Sequence, residues 1–155
     1  MIIVQEHVFD VGQEYARLKA SRADIGATAM FVGSVRDRSD GQNVAAMTLE
    51  HYPGMTEKAL AEIEAQARAR WSISNCLIIH RFGKLLPADD IVLVITCSEH
   101  REAAFQSCEF LMDWLKTKAP FWKLEEDGKQ AHWVEAKSSD DAATERWNEK
   151  RAREP

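Results

Sequence analysis

The stretch that decides the fold is DIVLVITCSEHREAAFQSCEFLMDWLKTKAPFWK, residues 90–123. Its first part, Asp90–Cys97, is an apolar run of the length expected for a buried strand. The part from about Glu99 to Lys118 predicts the longest helix of the chain, with Ser98 as its N-cap. One face of this helix is apolar at helical spacing, and its residues are Ala104, Cys108, Leu111 and Leu115. Pro120 cannot continue a helix, so the helix must stop before it.

On either side of this stretch, predicted strands and helices alternate. Apolar runs predict further strands over Met1–Val8, Gly26–Val35, Val44–Tyr52 and Ser74–Arg81. Asp10 is the expected N-cap of a helix over Val11–Lys19, and good helix formers predict another helix over Thr56–Arg70. Asp127-Gly128, between FWKLEE and KQAHWVEA, predicts a hairpin. The pattern indicates an α/β or α+β domain and does not by itself choose between the two classes.

Three segments are expected to have special local structure. Gly26–Val35 reads as a buried strand because it is small and apolar throughout, with a close backbone approach at Gly33. Residues 36–43, RDRSDGQN, read as a polar, mobile loop. Residues from about 140 to 151 read as a polar C-terminal helix, and no role is assigned to the 37–43 loop or to residues 149–155.

Composition limits the class of protein. A chain of 155 residues and 17.6 kDa predicts a single domain over residues 1–155. A net charge of −5 disfavours nucleic-acid binding, which needs a basic surface. No apolar run is long enough to span a membrane, and the N-terminus lacks the features of a signal peptide, so we expect a cytoplasmic protein that binds neither nucleic acid nor membrane. The cysteines, Cys76, Cys97 and Cys108, lie in apolar runs without metal-ligand spacing, so we expect buried reduced thiols and no metal site.

Cations stand out against this acidic background at both ends of the long helix. His100 and Arg101 lie in its first turn, where exposed backbone N–H groups favour an anion. Lys116 lies in its last turn, and Lys123 follows Pro120 beside Phe121 and Trp122, which allows the two lysines to converge on one aromatic-walled site. A lysine among other cations has a lowered pKa and can serve as a base or a nucleophile. His100, Arg101 and Lys116 are also residues expected at solvated helix ends, and Lys123 can equally be solvated around an aromatic core, so the pattern leaves both interpretations open.

Arg36 is a further candidate. It follows the strand that contains Gly33 and begins a polar loop, a position from which a guanidinium group can grip a phosphate. A loop arginine in solvent has the same sequence pattern, so this interpretation also stays open.

Seven segments taken together carry more information than any one of them. They are Gly26-Ala27, the FVGSVR segment that ends at Arg36, LEHYPGM at 49–55, Ile79–Arg81 with Gly83, His100-Arg101 with Ala104-Phe105, LKTKAPFWK at 115–123, and WVEA at 133–136. In this order they closely resemble the molybdopterin synthase catalytic (large) subunit family. The blocks LEHYPGM and LKTKAPFWK are long and unusual in composition, and the resemblance covers nearly the whole chain.

The resemblance implies a fold, a reaction and partners. The implied fold is α+β, an α/β hammerhead-type single domain with an additional small antiparallel β-sheet. The implied enzyme is a sulfurtransferase of molybdenum cofactor biosynthesis, which converts cyclic pyranopterin monophosphate to molybdopterin. Two sulfurs come from the thiocarboxylated C-terminal Gly-Gly tail of a small ubiquitin-like sulfur-carrier subunit, so no cofactor is needed. The implied assembly is a heterotetramer with a homodimer at its centre.

The resemblance also implies roles for residues of this chain. Lys116 and Lys123 correspond to the catalytic lysines and also contact the substrate. Phe31 and Met112 correspond to the pocket wall. The remaining substrate-binding positions are Ser34, Val35, Arg36, His100, Arg101, Leu124 and Glu125.

Two other hypotheses belong to different functional classes. A non-catalytic pterin- or phosphate-binding module would keep the fold, but loss of one or more cationic positions would be expected, and Arg36, His100, Arg101, Lys116 and Lys123 are all present. A cysteine-based sulfurtransferase would use Cys97, which lies near His100 in the sequence. Cys97 ends an apolar strand pattern, which accounts for it without a catalytic role.

Overall fold

A computed structural model describes residues 1–134, 142 and 144–147 of the chain. In chain order its elements are β1 (Ile2–Gln5), α1 (Val11–Lys19), β2 (Ala27–Ser34), β3 (Arg38–Ser39), β4 (Gln42–Asn43), β5 (Ala46–His51), α2 (Met55–Arg70), β6 (Asn75–Arg81), β7 (Gly83–Leu85), β8 (Asp90–Ser98), α3 (Arg101–Lys118), β9 (Phe121–Glu126) and β10 (Ala131–Val134). Among the helices of this part of the chain, none has the length and hydropathy to cross a bilayer.

The first sheet is the centre of a three-layer arrangement. Its strand order is β1-β6-β8-β2, and every pairing is antiparallel except that of β1 with β6. Along β6, Cys76 and Ile78 pack against α2 and α3, whereas Leu77 and Ile79 pack in the cluster on the α1 side. Because both faces are covered, β6 and β8 are apolar along their length, as the sequence predicts.

A second sheet packs beside the first and carries much of the candidate site. Its order is β10-β9-β5-β7, and all of its pairings are antiparallel. The segment Gly83–Leu85, for which no strand was predicted, is the edge strand β7. Below this sheet lies a small apolar cluster of Val35, Val44, Met47, Leu49 and Leu85. The expected α+β class with an additional antiparallel sheet is therefore confirmed.

The strand predicted over Gly26–Val35 is present as β2, but the prediction that it is buried is wrong. Met30, Phe31 and Val32 are 43%, 40% and 37% exposed. The reason is the strand order, because β2 is the edge of its sheet and pairs with β8 alone. The expected close approach at Gly33 is present, since an added Cβ would lie 2.8 Å from Cγ1 of Val92.

The prediction of a polar, mobile loop over residues 36–43 is wrong in its secondary structure. The short strands β3 and β4 pair there as a hairpin, with Arg38 opposite Asn43. Its two turn residues, Asp40 and Gly41, have φ values of 49° and 83°. Asp-Gly with positive φ at both positions is the usual sequence of a two-residue hairpin turn, a signal that the polar composition of the segment obscured.

Ser98 is not the N-cap of the long helix. It is the last residue of β8, and its hydroxyl donates to the carbonyl of Ser72 at 2.8 Å. His100 is the N-cap, and its side chain makes no capping hydrogen bond. The strand continues one residue further than predicted because the backbone of Ser98 accepts from the N–H of Gly26 at 3.1 Å.

The polar C-terminal helix predicted over about 140–151 is described only at residues 142 and 144–147, which are helical, and residues 149–155 lie outside the described part. Trp147 contradicts the expected polar character, since it is 2% exposed and belongs to the core cluster with α2 and α3. Its ring packs edge-on against Trp71 and Phe110, at centroid distances of 5.5 and 5.4 Å. Its indole N–H donates to Oδ2 of Asp113 on α3 at 2.7 Å.

This packing predicts that Trp147 contributes to global stability. Trp147→Ala should lower the free energy of unfolding by about 3–5 kcal/mol, because it leaves a large cavity and removes the indole N–H that donates to the Asp113 carboxylate. Trp133→Ala is the matched control, since Trp133 is 55% exposed and its loss should change stability by about 0.5 kcal/mol or less. Urea unfolding followed by circular dichroism measures both. Equal effects of the two substitutions would contradict the assignment of Trp147 to the core.

Candidate functional site

A cavity of about 790 Å³ lies where the C-terminal half of α3, the edge strand β2 and one face of the second sheet meet. Its charged lining consists of four cations and one carboxylate, namely Arg36, Arg38, Lys116, Lys123 and Glu125. This excess of positive charge contrasts with the net charge of −5 of the whole chain. The cavity is therefore suited to an anionic ligand.

Lys116 and Lys123 are brought together as the sequence predicts. α3 ends at Lys118, and the chain turns at Pro120, where the N–H of Phe121 donates to the carbonyl of Ala119 at 2.8 Å. Lys123 then faces the cavity from β9, together with Phe121 two residues earlier. Trp122, the other ring considered as a wall of the site, is not part of the lining, because alternate strand residues face opposite sides of a sheet.

The two lysines have different surroundings. Nζ of Lys123 lies 3.0 Å from Oε1 of Glu125, whose side chain is 5% exposed. Among the residues that the structure describes, Lys116 has no ion-pair partner, and its side chain is exposed. Lys123 is thus paired with a buried carboxylate, whereas the amine of Lys116 is available to bind a ligand or to exchange a proton with it.

Arg36 and Ser34 reach the cavity from the end of β2. The strand has a bulge between Gly33 and Ser34, and the Ser34 hydroxyl donates to Oδ1 of Asp90 at 2.6 Å. Gly33 leaves room for the ring of Phe31, whose Cε1 lies 3.2 Å from where a Cβ would stand. Phe31 and Met112, the two predicted wall residues, both line the cavity.

The β3–β4 hairpin adds two lining residues that the sequence analysis missed, Arg38 and Ser39. Within the described part of the chain, neither Arg36 nor Arg38 is engaged in an ion pair. Both guanidinium groups are therefore available to a phosphate, which they bind through paired N–H donors. Recognising the Asp-Gly turn would have placed Arg38 on a hairpin beside Arg36.

A stacked pair of rings forms another part of the wall, in which Phe121 was expected from the sequence and His80 was not. The rings of His80 and Phe121 lie 3.7 Å apart and are inclined by 17°. Burial lowers the pKa of the His80 imidazole to about 4, with a smaller contribution from the nearby His51 that also lowers it. His80 is therefore neutral near pH 7 and adds a polar but uncharged surface to the cavity.

Four predicted substrate-binding residues do not join the others. His100 and Arg101 lie at the opposite end of α3 from Lys116, about 22 Å away along a helix axis that rises about 1.5 Å per residue. The side chain of Val35 is 3% exposed and packs in the small apolar cluster below the second sheet. Leu124 faces away from the cavity, on the other side of β9 from Lys123. Glu125, by contrast, is brought to the cavity as predicted.

None of the three cysteines lines the cavity. All three are buried free thiols, and burial raises the pKa of Cys76 to about 12 and that of Cys108 to about 11. Cys97 is 0% exposed, and its sulfur accepts from the Thr28 hydroxyl at 3.6 Å. Within the described residues, no three His, Cys, Asp or Glu side chains are close enough to hold a metal ion.

Two known proteins that match nearly the whole of this chain are both named for molybdopterin synthesis. A molybdopterin synthase catalytic subunit from Ralstonia nicotianae is 56% identical over 146 residues, which cover 94% of this chain and 83% of that protein. A solved structure of a molybdopterin biosynthesis MoaE protein from Burkholderia ambifaria is 54% identical, with a TM-score of 0.82. The match covers 96% of this chain and 97% of that one.

A more distant structure shares the fold alone. It is a complex of subunits 1 and 2 of molybdopterin-converting factor from Helicobacter pylori, at 20% identity and a TM-score of 0.70, and the match covers 88% of this chain and 92% of that one.

The family model described as MoaE protein matches residues 4–118, which is more than half of the chain. The matched region includes β2, the LEHYPGM segment and all of α3, and so carries Arg36 and Lys116 of the cavity. The resemblance seen in the sequence is confirmed, and this chain belongs to the MoaE family.

Proposed function

We propose that this chain is the catalytic subunit of a molybdopterin synthase. It converts cyclic pyranopterin monophosphate to molybdopterin by transferring two sulfurs from the thiocarboxylated C-terminus of a small carrier subunit. The observation that carries this proposal is that one cavity is lined both by four cations and by the aromatic rings of Phe31, His80 and Phe121. The cations can bind the phosphate of the substrate, and the aromatic rings can pack against its planar heterocycle.

The cations divide into two groups by position and pairing. Arg36 and Arg38, which have no ion-pair partner in the described residues, bind the phosphate. Lys116 and Lys123 line the same cavity, where they stabilise negative charge that develops during sulfur transfer. Because Lys123 is held by Glu125, Lys116 is the better candidate for the group that also takes up and returns a proton.

No thiol of this chain takes part in the reaction. The sulfur arrives on the partner as a thiocarboxylate, so the chain supplies positive charge and proton transfer, and no cofactor is required. A two-subunit complex is seen in the Helicobacter pylori structure of the same fold, which supports a small partner subunit here. Three free cysteines are suited to a reducing compartment, and we place the reaction in the cytoplasm.

A homodimer reconciles the positions of His100 and Arg101 with a role in substrate binding. In one protomer they lie at the far end of α3 from the cavity. Both are exposed, and Arg101 has no ion-pair partner among the described residues. A second copy docked across the exposed edge strand β2 would supply these two residues to the cavity of the first and complete its anion site.

Lys116→Ala should reduce turnover of cyclic pyranopterin monophosphate by about 100-fold or more, because it removes the free amine of the cavity. Lys118→Ala is the matched control, since Lys118 lies two residues away on the same helix, outside the cavity lining, and its Nζ lies 5.9 Å from the centroid of the Trp114 ring. The assay measures molybdopterin formed with thiocarboxylated carrier. Carrier binding and circular dichroism should be unchanged in both variants.

Full activity of Lys116→Ala would overturn the assignment, and wild-type protein that binds the precursor without turnover would favour the binding-module hypothesis.

Cys97→Ala should retain wild-type turnover per folded molecule, because this buried sulfur lies outside the cavity. Activity is normalised to the folded fraction, since removing a buried atom costs stability. Loss of activity in a folded Cys97→Ala protein would favour the cysteine-based mechanism instead.

The shared site predicts complementation between two inactive variants. Lys116→Ala and Arg101→Ala should each have low activity alone. If a second copy supplies Arg101, co-expressed protein should recover about a quarter of the wild-type activity, because half of a random two-fold mixture is heterodimer and each heterodimer has one intact site. No recovery in isolated heterodimers would show that Arg101 does not act across the dimer.

A further inference from the structure

We propose that His80 is a substrate-binding residue whose Nε2 accepts a hydrogen bond from an N–H or O–H group of the bound heterocycle. This inference rests on the proposed function and deepens it, because it assigns recognition of the ring to a residue distinct from the cations that bind the phosphate. Three features of the structure carry it: the tautomer of the imidazole, the open side of Nε2 and the fixed plane of the ring.

The tautomer follows from one contact. Nδ1 of His80 lies 2.9 Å from the carbonyl oxygen of Arg81, which can only accept a hydrogen bond. Nδ1 must therefore carry the proton, and in a neutral imidazole this leaves a lone pair on Nε2. The Arg81 carbonyl is itself well fixed, since the buried Arg81 side chain donates to the carbonyls of Glu6 and Asp90 at 3.0 and 2.8 Å.

Nε2 of His80 opens to the cavity. His80 belongs to the cavity lining, and among the described residues Nε2 has no hydrogen-bond partner. It is not an enclosed atom either, because the buried side-chain nitrogens and oxygens without a partner in this part of the chain are Nδ1 of His51 and Nε1 of Trp114. The lone pair is thus accessible from the cavity, where a ligand donor can meet it.

The plane of the ring is held by packing. His80 stacks on Phe121, and Phe121 in turn is the cross-strand partner of His51 on β5, whose ring centroid lies 6.1 Å from its own. The stack and the Nδ1 contact together fix the direction of the Nε2 lone pair. A group held in this way contributes to affinity without first losing rotamer freedom on binding.

The chemistry of a neutral acceptor selects the part of the ligand that it binds. The lowered pKa of His80 keeps the imidazole uncharged near pH 7, so an ionised phosphate oxygen, which can only accept a hydrogen bond, gains nothing from Nε2. A pterin carries ring N–H and exocyclic NH₂ donors, and these fit a lone pair. His80 therefore distinguishes the heterocycle from a bare phosphate, whereas Arg36 and Arg38 bind any phosphate in the cavity.

The test compares His80→Phe, which keeps a stacked ring without the acceptor, with His80→Gln, which restores an acceptor oxygen. The full chain is assayed with its thiocarboxylated carrier and cyclic pyranopterin monophosphate. In His80→Phe the ligand N–H or O–H group loses its acceptor and is left without a partner. This loss of one hydrogen bond should raise KM for the precursor about tenfold. His80→Gln should recover part of that loss. The inhibition constant of inorganic phosphate should be unchanged in both variants and should rise in Arg36→Ala.

The outcomes separate the two proposals. Wild-type turnover together with an unchanged precursor KM in His80→Phe would overturn the role of His80 and leave the proposed function intact. A parallel loss of precursor and phosphate affinity would also overturn it, because it would indicate a general disturbance of the cavity. If His80→Phe does not fold, His80→Leu, which also lacks the acceptor, takes its place, and a precursor-to-phosphate affinity ratio as in wild type contradicts the proposal. Absence of turnover in the wild-type protein would overturn both.

Discussion

The turn at Pro120 is the constraint on which the rest of the site depends. Proline lacks the N–H that an α-helix requires, so α3 ends at Lys118 and the chain reverses into β9 within three residues. This short reversal places Lys123 beside Lys116, and it positions Phe121 against His80. A longer connection would let β9 shift in register, and a shift of one residue would turn Lys123 and Phe121 away from the cavity.

The position of the cavity at the C-terminal end of α3 has an electrostatic consequence. The C-terminus of a helix is the negative end of its dipole, which disfavours an anionic ligand. Affinity for a phosphate must therefore come from side-chain cations rather than from helix N–H groups. The four cations around the cavity fit this requirement, and the ion pair of Lys123 with the buried Glu125 fixes one of them in place.

Local features of the chain were predictable from the sequence, and features set by sheet order were not. The long helix, its stop at Pro120 and the convergence of Lys116 with Lys123 depend on residues close together in the chain. The exposure of β2 and the stacking of His80 on Phe121 depend on which strands become neighbours, and no local pattern determines this. The first-turn cations are a different case, because their distance from Lys116 follows from the length of the predicted helix. His100 and Arg101 were expected to join the lysines in one site, yet a straight helix keeps its two ends apart within one protomer. Their assignment to the site remains a prediction that needs a second copy of the chain.

The proposed substrate site can be tested by a crystal structure of this protein with bound cyclic pyranopterin monophosphate, because it shows which residues contact the phosphate and the heterocycle. We expect the phosphate at the guanidinium groups of Arg36 and Arg38, with the heterocycle in the same cavity, near the amine of Lys116 and within hydrogen-bond distance of Nε2 of His80. A ligand bound outside this cavity, with Lys116 and Lys123 free of contact, would contradict it.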